Sequence, residues 1–270
     1  MSRRDGNTTL WRGPSEYTGE EVAVQAQCVY RPGETPKLGD MVPLAVWATA
    51  APPAAPEVQE TSCGGCALLA HKGCYVVKMR YRASWERIQA TVRDLVDFAT
   101  EPRVRRKPHR FTSDGDAAAV PLSFWRRYFK VVRPRGWTAY IHGWKERVTA
   151  SGQLMKACDP GMAAFAMASC DTRAERAEAK ALGFRTARVG VTGEKPDEGE
   201  IVCPAILTNN RIQCAPDCLM CCGNGEWGRV PGIYFRKLPV PKWPDILFPV
   251  HGGAGNEKKF LNMLELLEAA

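Results

Sequence analysis

The chemistry available to this chain begins with its thiols. Eleven of the 270 residues are cysteine, and seven fall into two tight groups: Cys63, Cys66 and Cys74, then Cys214, Cys218, Cys221 and Cys222, with Cys203 upstream of the second. A Cys-x-x-Cys sets two thiolates on one tight loop, and Cys74 completes a three-thiolate corner. The second group with Cys203 supplies four more, Cys222 being a spare because neighbouring residues rarely both ligate one ion. Tetrahedral zinc and iron–sulfur clusters both accept such sets. Zinc usually draws on two close pairs, whereas three cysteines on one loop suit a cubane with an open iron, so a 4Fe–4S cluster is favoured and zinc is the alternative. Cys63, Cys66 and Cys74 are expected to hold the cluster, with Cys203, Cys214, Cys218 and Cys221 as further metal ligands. Cys28, Cys158 and Cys170 are isolated and read as ordinary core or surface thiols.

Positioning these groups requires a scaffold, and the text of the chain alternates between two periods. Met41–Ala48, Arg110–Ser113, Trp137–His142, Met162–Ser169, Phe184–Val191 and Glu200–Cys203 read as strands. Helical stripes lie between them: one from Ser84 through Trp85, Ile88, Val92, Leu95 and Ala99; one opened by Pro121, with Phe124, Tyr128 and Val131 inward; one over Lys145–Lys156; and one from Thr172 to Leu182, stopped by Gly183. Strands and helices in alternation predict an α/β fold, a partial (βα) barrel or open parallel sheet, with the cysteine-rich site at the carboxyl ends of the strands. The expected organisation is a loose polar extension over 1–40, a βα core over 41–205, a cysteine- and proline-rich region over 206–255 packed on it, and a closing helix over 256–270 that buries Phe260, Met263, Leu264 and Leu267.

Reading the strand ends adds acid–base groups. Asp114-Gly-Asp116 follows the second strand and His142 the third, and Asp116 and His142 are the candidates to face a substrate. A glycine turn and a core histidine are the structural alternatives. Asp171 reads as a helix cap. Gly223-Asn-Gly-Glu-Trp-Gly228 has dinucleotide-loop spacing without the flanking strand and helix, and reads as a loop.

Composition limits the partners. Hydrophobic residues make up 45% and charged residues 24%, as in ordinary globular chains. No window offers the unbroken apolar run of a membrane span, and the first residues lack an apolar export segment, so a cytoplasmic protein with reduced thiols is expected. The net charge of +8 favours an anionic partner. Basic stretches at Arg103–Arg110 and over Arg126, Arg127, Lys130, Arg133 and Arg135 could track phosphates, so the substrate is a small molecule or a nucleic acid.

The ordered motifs Thr61-Ser-Cys-Gly-Gly-Cys66, Cys74-Tyr75-Val76, Gly115–Pro121, Gly136–Trp144, Met167-Ala-Ser-Cys-Asp171, Gly183–Val189, Cys203-Pro-Ala205 and Cys214 with Cys218 and Cys221 together resemble an uncharacterised cysteine-rich family of bacteriophages and mobile elements. That likeness runs from about Gly39 to His251 and implies host cytoplasm but no activity. The acidic loop departs from it in lacking a proline after Asp116, and Gly143 stands where glutamine is usual. A more distant likeness is to radical S-adenosylmethionine enzymes, which implies that cofactor; their cysteines are usually separated by three and then two residues, and the first group here by two and then seven. The resulting expectation is an iron–sulfur redox or radical-type enzyme. The alternative is a non-enzymatic nucleic-acid binder stapled by zinc or a closed cluster.

Overall fold

The computed structural model describes residues 7–27, 39–52, 56–66, 85–88, 91–149, 151–224 and 243–250, with 258, 260–262 and 265 near the C-terminus. Cys28, Cys74, Ser84, most of the Gly223–Gly228 loop and most of the closing helix lie outside them; Phe260 is described and is buried, as expected.

Residues 7–27, expected as part of a loose extension, are sheet. β1 (Asn7–Pro14) and β2 (Glu21–Gln27) pair antiparallel, and β2 pairs antiparallel with β3 (Val42–Ala48). Their polar residues misled because they are buried: Gln25 is fully buried and accepts from the Trp47 indole at 3.2 Å.

From β3 onward neighbouring strands of the two larger sheets run parallel. β4 (His109–Asp114) and β5 (Trp137–Thr138) complete a sheet ordered β1-β2-β3-β4-β5. β6 (Tyr140–Ile141) belongs to a second sheet, while β7 (Arg147–Val148) and β8 (Leu154–Met155) make a separate hairpin. With β9 (Met167–Cys170), β10 (Thr186–Gly190), β11 (Glu200–Val202) and β12 (Asp245–Pro249), the second sheet is ordered β11-β12-β10-β9-β6, parallel throughout. Only Ala139 separates β5 from β6. Its N–H donates to the Cys221 carbonyl at 2.7 Å and its carbonyl accepts from Met167 at 3.0 Å, so one stretch of chain passes from one sheet to the other. The fold is mixed α/β with parallel sheets; among the described residues neither sheet closes into a barrel.

Helices cover the sheets where the apolar stripes are broad. α1 (Pro56–Cys63) ends in the first cysteine. α2 (Leu95–Thr100) starts at Asp94, whose carboxylate accepts from the Val96 N–H at 2.7 Å, ten residues later than the expected Ser84 start. Val92 is exposed, so the stripe read before Leu95 does not run on as an inward face. α3 (Leu122–Val132) follows Pro121 and buries Phe124, Trp125 and Tyr128. α4 (Arg173–Ala181) is capped by Thr172, not Asp171, and α5 (Pro204–Leu207) is one turn. The helix expected over Lys145–Lys156 is the β7–β8 hairpin, its turn set by Gly152 at φ 85. The strand expected from Met162 begins only at Met167, because Asp159 and Pro160 start a 3-10 turn over Pro160–Ala164.

Phe111, Trp125, Tyr128, Phe129 and Phe165 pack edge-on or stacked, with ring centroids 4.9–6.2 Å apart. His109 sits at the margin of this nest, fully buried, its Nδ1 2.7 Å from the Tyr128 hydroxyl. Burial holds the imidazole neutral, with its pKa down to about 3. The unfolded chain therefore binds a proton that the folded one does not, and this part of the stability is complete above about pH 6.5 and lost as pH falls towards 3. Denaturant titrations of wild type and His109→Gln between pH 7 and 4 should diverge, wild type losing up to about 1.4 kcal/mol more per pH unit.

Candidate functional site

Four strand ends converge on one buried cluster. Cys63 and Cys66 follow β3 through α1, Asp116 follows β4, His142 follows β6, and Asp171 follows β9. The order of parallel strands puts these segments side by side, as the strand-end rule anticipates.

Asp116, 2% exposed, holds the cluster together. Its Oδ2 accepts from the N–H groups of His142 at 2.6 Å and Gly143 at 3.2 Å, its Oδ1 accepts from Ala118 at 2.9 Å, and its own N–H donates to the Ser62 carbonyl at 2.6 Å. Both oxygens of the carboxylate expected to face a substrate thus accept from backbone N–H groups. Burial nevertheless raises its pKa, opposed by the His142 charge and those N–H groups. Gly143 is glycine for a steric reason: a Cβ there would stand 2.2 Å from the Tyr17 hydroxyl. Tyr17 is itself buried against Asp116, Cys158 and Cys63. Cys158, read from sequence as isolated, is therefore part of this cluster, its N–H donating to Gly143 at 2.8 Å.

His142 is the titrating centre. Desolvation pushes its pKa down, but the Cys66 thiol as side-chain partner, with Asp116 and Asp171 behind, lifts it to about 9. Asp171 is 2% exposed, and neither carboxylate oxygen has a hydrogen-bond partner. Burial raises its pKa, with His142 the leading opposing charge.

The second cysteine group gathers elsewhere, around Tyr140. Cys203 caps α5 at the end of β11, and the 213–222 loop lies on the face of the second sheet against Met167, Ala187 and Ile246. Burial pushes the Cys218 thiol up to about 12, with Cys214, Cys203 and Cys222 adding to it. Cys221 is raised well above the thiol range by burial and by Cys218, Cys203 and Cys214, and the Tyr140 hydroxyl is its partner. Arg185 fastens the loop from below: its Nη1 donates to the Met220 and Cys222 carbonyls at 2.7 Å each, and Nη2 donates to the Pro244 carbonyl.

No family model, curated protein or solved structure matches the chain.

Both groups contain reduced thiols. Among the described residues, however, no three Cys, His, Asp or Glu side chains are grouped as they would be around one metal ion. Of the expected ligands, Cys66 is brought to His142 and Cys63 to Tyr17, Cys74 lies outside the described residues, and Cys203, Cys214, Cys218 and Cys221 are brought to one another. Sequence reasoning looked for the three-then-two cysteine spacing in the first group; it stands in the second, as Cys214-Ala-Pro-Asp-Cys218-Leu-Met-Cys221. Asp171 was missed as a site residue because a carboxylate before a helix looks like a cap.

Replacing Asp116 by Ala strands three buried N–H donors, so Asp116→Ala should destabilise the protein by roughly 2–4 kcal/mol in urea unfolding. Asp116→Asn, which keeps one carbonyl acceptor, should cost less.

Proposed function

We propose that the chain is an iron–sulfur protein with a redox role, its cluster held by Cys203, Cys214, Cys218 and Cys221. The observation that carries this is their convergence: four thiols from two stretches, three buried and Cys214 half-buried, lie within electrostatic reach of one another, and two of them have raised pKa values that a positively charged centre would relieve. Soft thiolates suit iron–sulfur clusters and zinc alike. Spacing favours the cluster. Zinc draws its sulfurs to about 2.3 Å from one ion, whereas a cubane gives each thiolate its own iron and spreads them apart. A cluster there would pass single electrons, Tyr140 would hydrogen-bond the Cys221 sulfur, and Arg185 would hold the loop at fixed geometry. The fourth thiol fills the position that an open iron would offer to S-adenosylmethionine, which favours electron transfer over radical cleavage at this centre.

Protein purified without oxygen should be brown, with iron and acid-labile sulfide in about equal amounts. Cys218→Ser and Cys221→Ser should each lose most of that iron, while Cys170→Ser retains it. Colourless protein with one zinc overturns the reading, and cleavage of S-adenosylmethionine by the reduced protein overturns the closed cluster.

One observation favours the nucleic-acid alternative as a second reading. The two basic stretches, distant in sequence, meet in space: the Arg135 N–H donates to the Lys107 carbonyl at 3.1 Å, joining the Arg103–Lys107 turn to the end of α3. Arg103, Arg105, Arg106, Arg126 and Arg127 are all exposed. If this face grips phosphates, the affinity for a DNA or RNA duplex should fall steeply with salt. Neutralising Arg105, Arg106 and Arg127 should reduce the log–log slope by about 2–3. Affinity independent of salt would exclude it.

A further inference from the structure

We propose that the cleft between β1, the 92–95 segment and α3 binds an unpaired base of a single-stranded nucleic acid, stacked on Trp11 beside the guanidinium groups of Arg93 and Arg127. The site rests on the nucleic-acid reading and adds to it a place where a base is held, and not only the phosphate chain. The cleft has a volume of about 230 Å³. Trp11, Phe124, Leu10 and Val92 form its apolar part, and Arg93, Asp94 and Arg127 its polar rim.

The backbone of β1 builds the aromatic wall. Its register jumps between Thr9 and Trp11, so Leu10 is the extra residue of a bulge and Trp11 comes to lie opposite Val24, a core residue. The indole therefore stands on the side of the sheet that α3 covers, its ring 5.8 Å from that of Phe124 and tilted by 39°. It lies along its own strand, over Gly13, where a Cβ would stand 2.5 Å from Trp11 Cζ2. The missing side chain at 13 gives the flat indole its bed. Trp11 is nevertheless only half-buried and Val92 is 43% exposed, so an aromatic wall and an apolar lip stay open to solvent. The Arg93 N–H donates to the Thr9 carbonyl at 2.9 Å and ties the 92–95 segment to β1.

Charge points to the occupant. Arg93 Nη2 is 2.7 Å from Glu101, and Arg127 Nη2 is 3.5 Å from Asp94, whose other oxygen accepts from the Val96 N–H. These carboxylates orient the two guanidinium groups and compensate part of their charge. The excess lies along α3 and its end: Arg126 and Arg127, then Lys130 and Arg133, are exposed and follow one another at three and four residues. That stripe leads from the cleft to Arg135, which meets the basic 103–107 turn through Lys107. A small apolar ligand leaves the stripe without a partner, and a duplex keeps its bases stacked away from Trp11. A single strand offers the cleft a flat ring and the stripe its phosphates. The volume agrees, being below the roughly 300–1,000 Å³ of clefts for drug-sized ligands and suited to one ring system.

The test uses full-length protein and a labelled oligothymidylate of about twelve nucleotides, within the lengths such grooves cover. Fluorescence anisotropy should show affinity at least about fivefold weaker for Trp11→Ala, and for a strand of equal length made of abasic sugars, while Trp11→Phe keeps most of it. The slope of log affinity against log salt should be the same in wild type and Trp11→Ala, because no phosphate contact is removed. A strand carrying 5-iodouracil should crosslink to wild type at Trp11 under near-ultraviolet light, as read by peptide mapping, an outcome that does not depend on how a variant folds. Crosslinks elsewhere, or Trp11→Ala and abasic affinities equal to those of wild type with the normal strand, overturn the base site. Salt-dependent binding that neutralising Arg105, Arg106 and Arg127 weakens then still upholds the nucleic-acid reading. No binding of strand or duplex overturns both. Uridine monophosphate that displaces the strand at equal concentration overturns the strand in favour of a free nucleotide.

Discussion

Much of this molecule hangs on one carboxylate. The Asp116 side chain and backbone tie the end of α1, a 3-10 turn and the end of β6 into one knot, using four hydrogen bonds of 2.6–3.2 Å. Because the N–H groups it serves belong to His142 and Gly143, Asp116 fixes the main chain that carries the imidazole. Tyr17 closes the arrangement from the antiparallel edge of the first sheet, in space that exists because residue 143 has no side chain. The segment that reads as a polar lead-in therefore supplies a wall of the cluster.

The second cysteine group is held by a different device. Arg185 donates to carbonyls on either side of Cys221 and to Pro244, so one guanidinium fixes the loop and the approach to β12 together. Below it, Arg188 bridges Glu200 and Glu194 at 2.8 and 2.7 Å, and Arg176 reaches Asp245 at 3.0 Å. These buried ion pairs join α4 to three parallel strands. Their contribution to net stability is modest after desolvation, and their clearer effect is on which strand lies beside which.

Legibility in the sequence followed hydrogen-bond locality. α3, α4 and β10 were readable because apolar period and local stops, Pro121, Thr172 and Gly183, agree with the final packing. β1 and β2 were hidden because polar side chains such as Gln25 are buried in them, its amide oxygen accepting from Trp47 of β3. β12 was hidden in proline-rich text, and the β7–β8 hairpin imitated a helix by composition. Strand-end reasoning found Asp116 and His142 and brought Cys66 to them, but it assigned Asp116 a role towards substrate, since no local pattern announces that its oxygens are already taken by N–H groups 26 and 27 residues away. Cys158 and Asp171 were passed over for the same reason: their neighbours are made by topology.

The strand that passes from one sheet to the other carries Tyr140, and His142 follows its end two residues on. Each belongs to a different thiol cluster. Along a strand that separation is about 7 Å, and at an effective dielectric near 20 a unit charge gained at one position shifts the potential at the other by roughly 2 kcal/mol. The shared strand thus works as a ruler as well as a scaffold. It fixes the distance over which a change of charge state at the tyrosine end is sensed at the histidine end, with no movement of the backbone required.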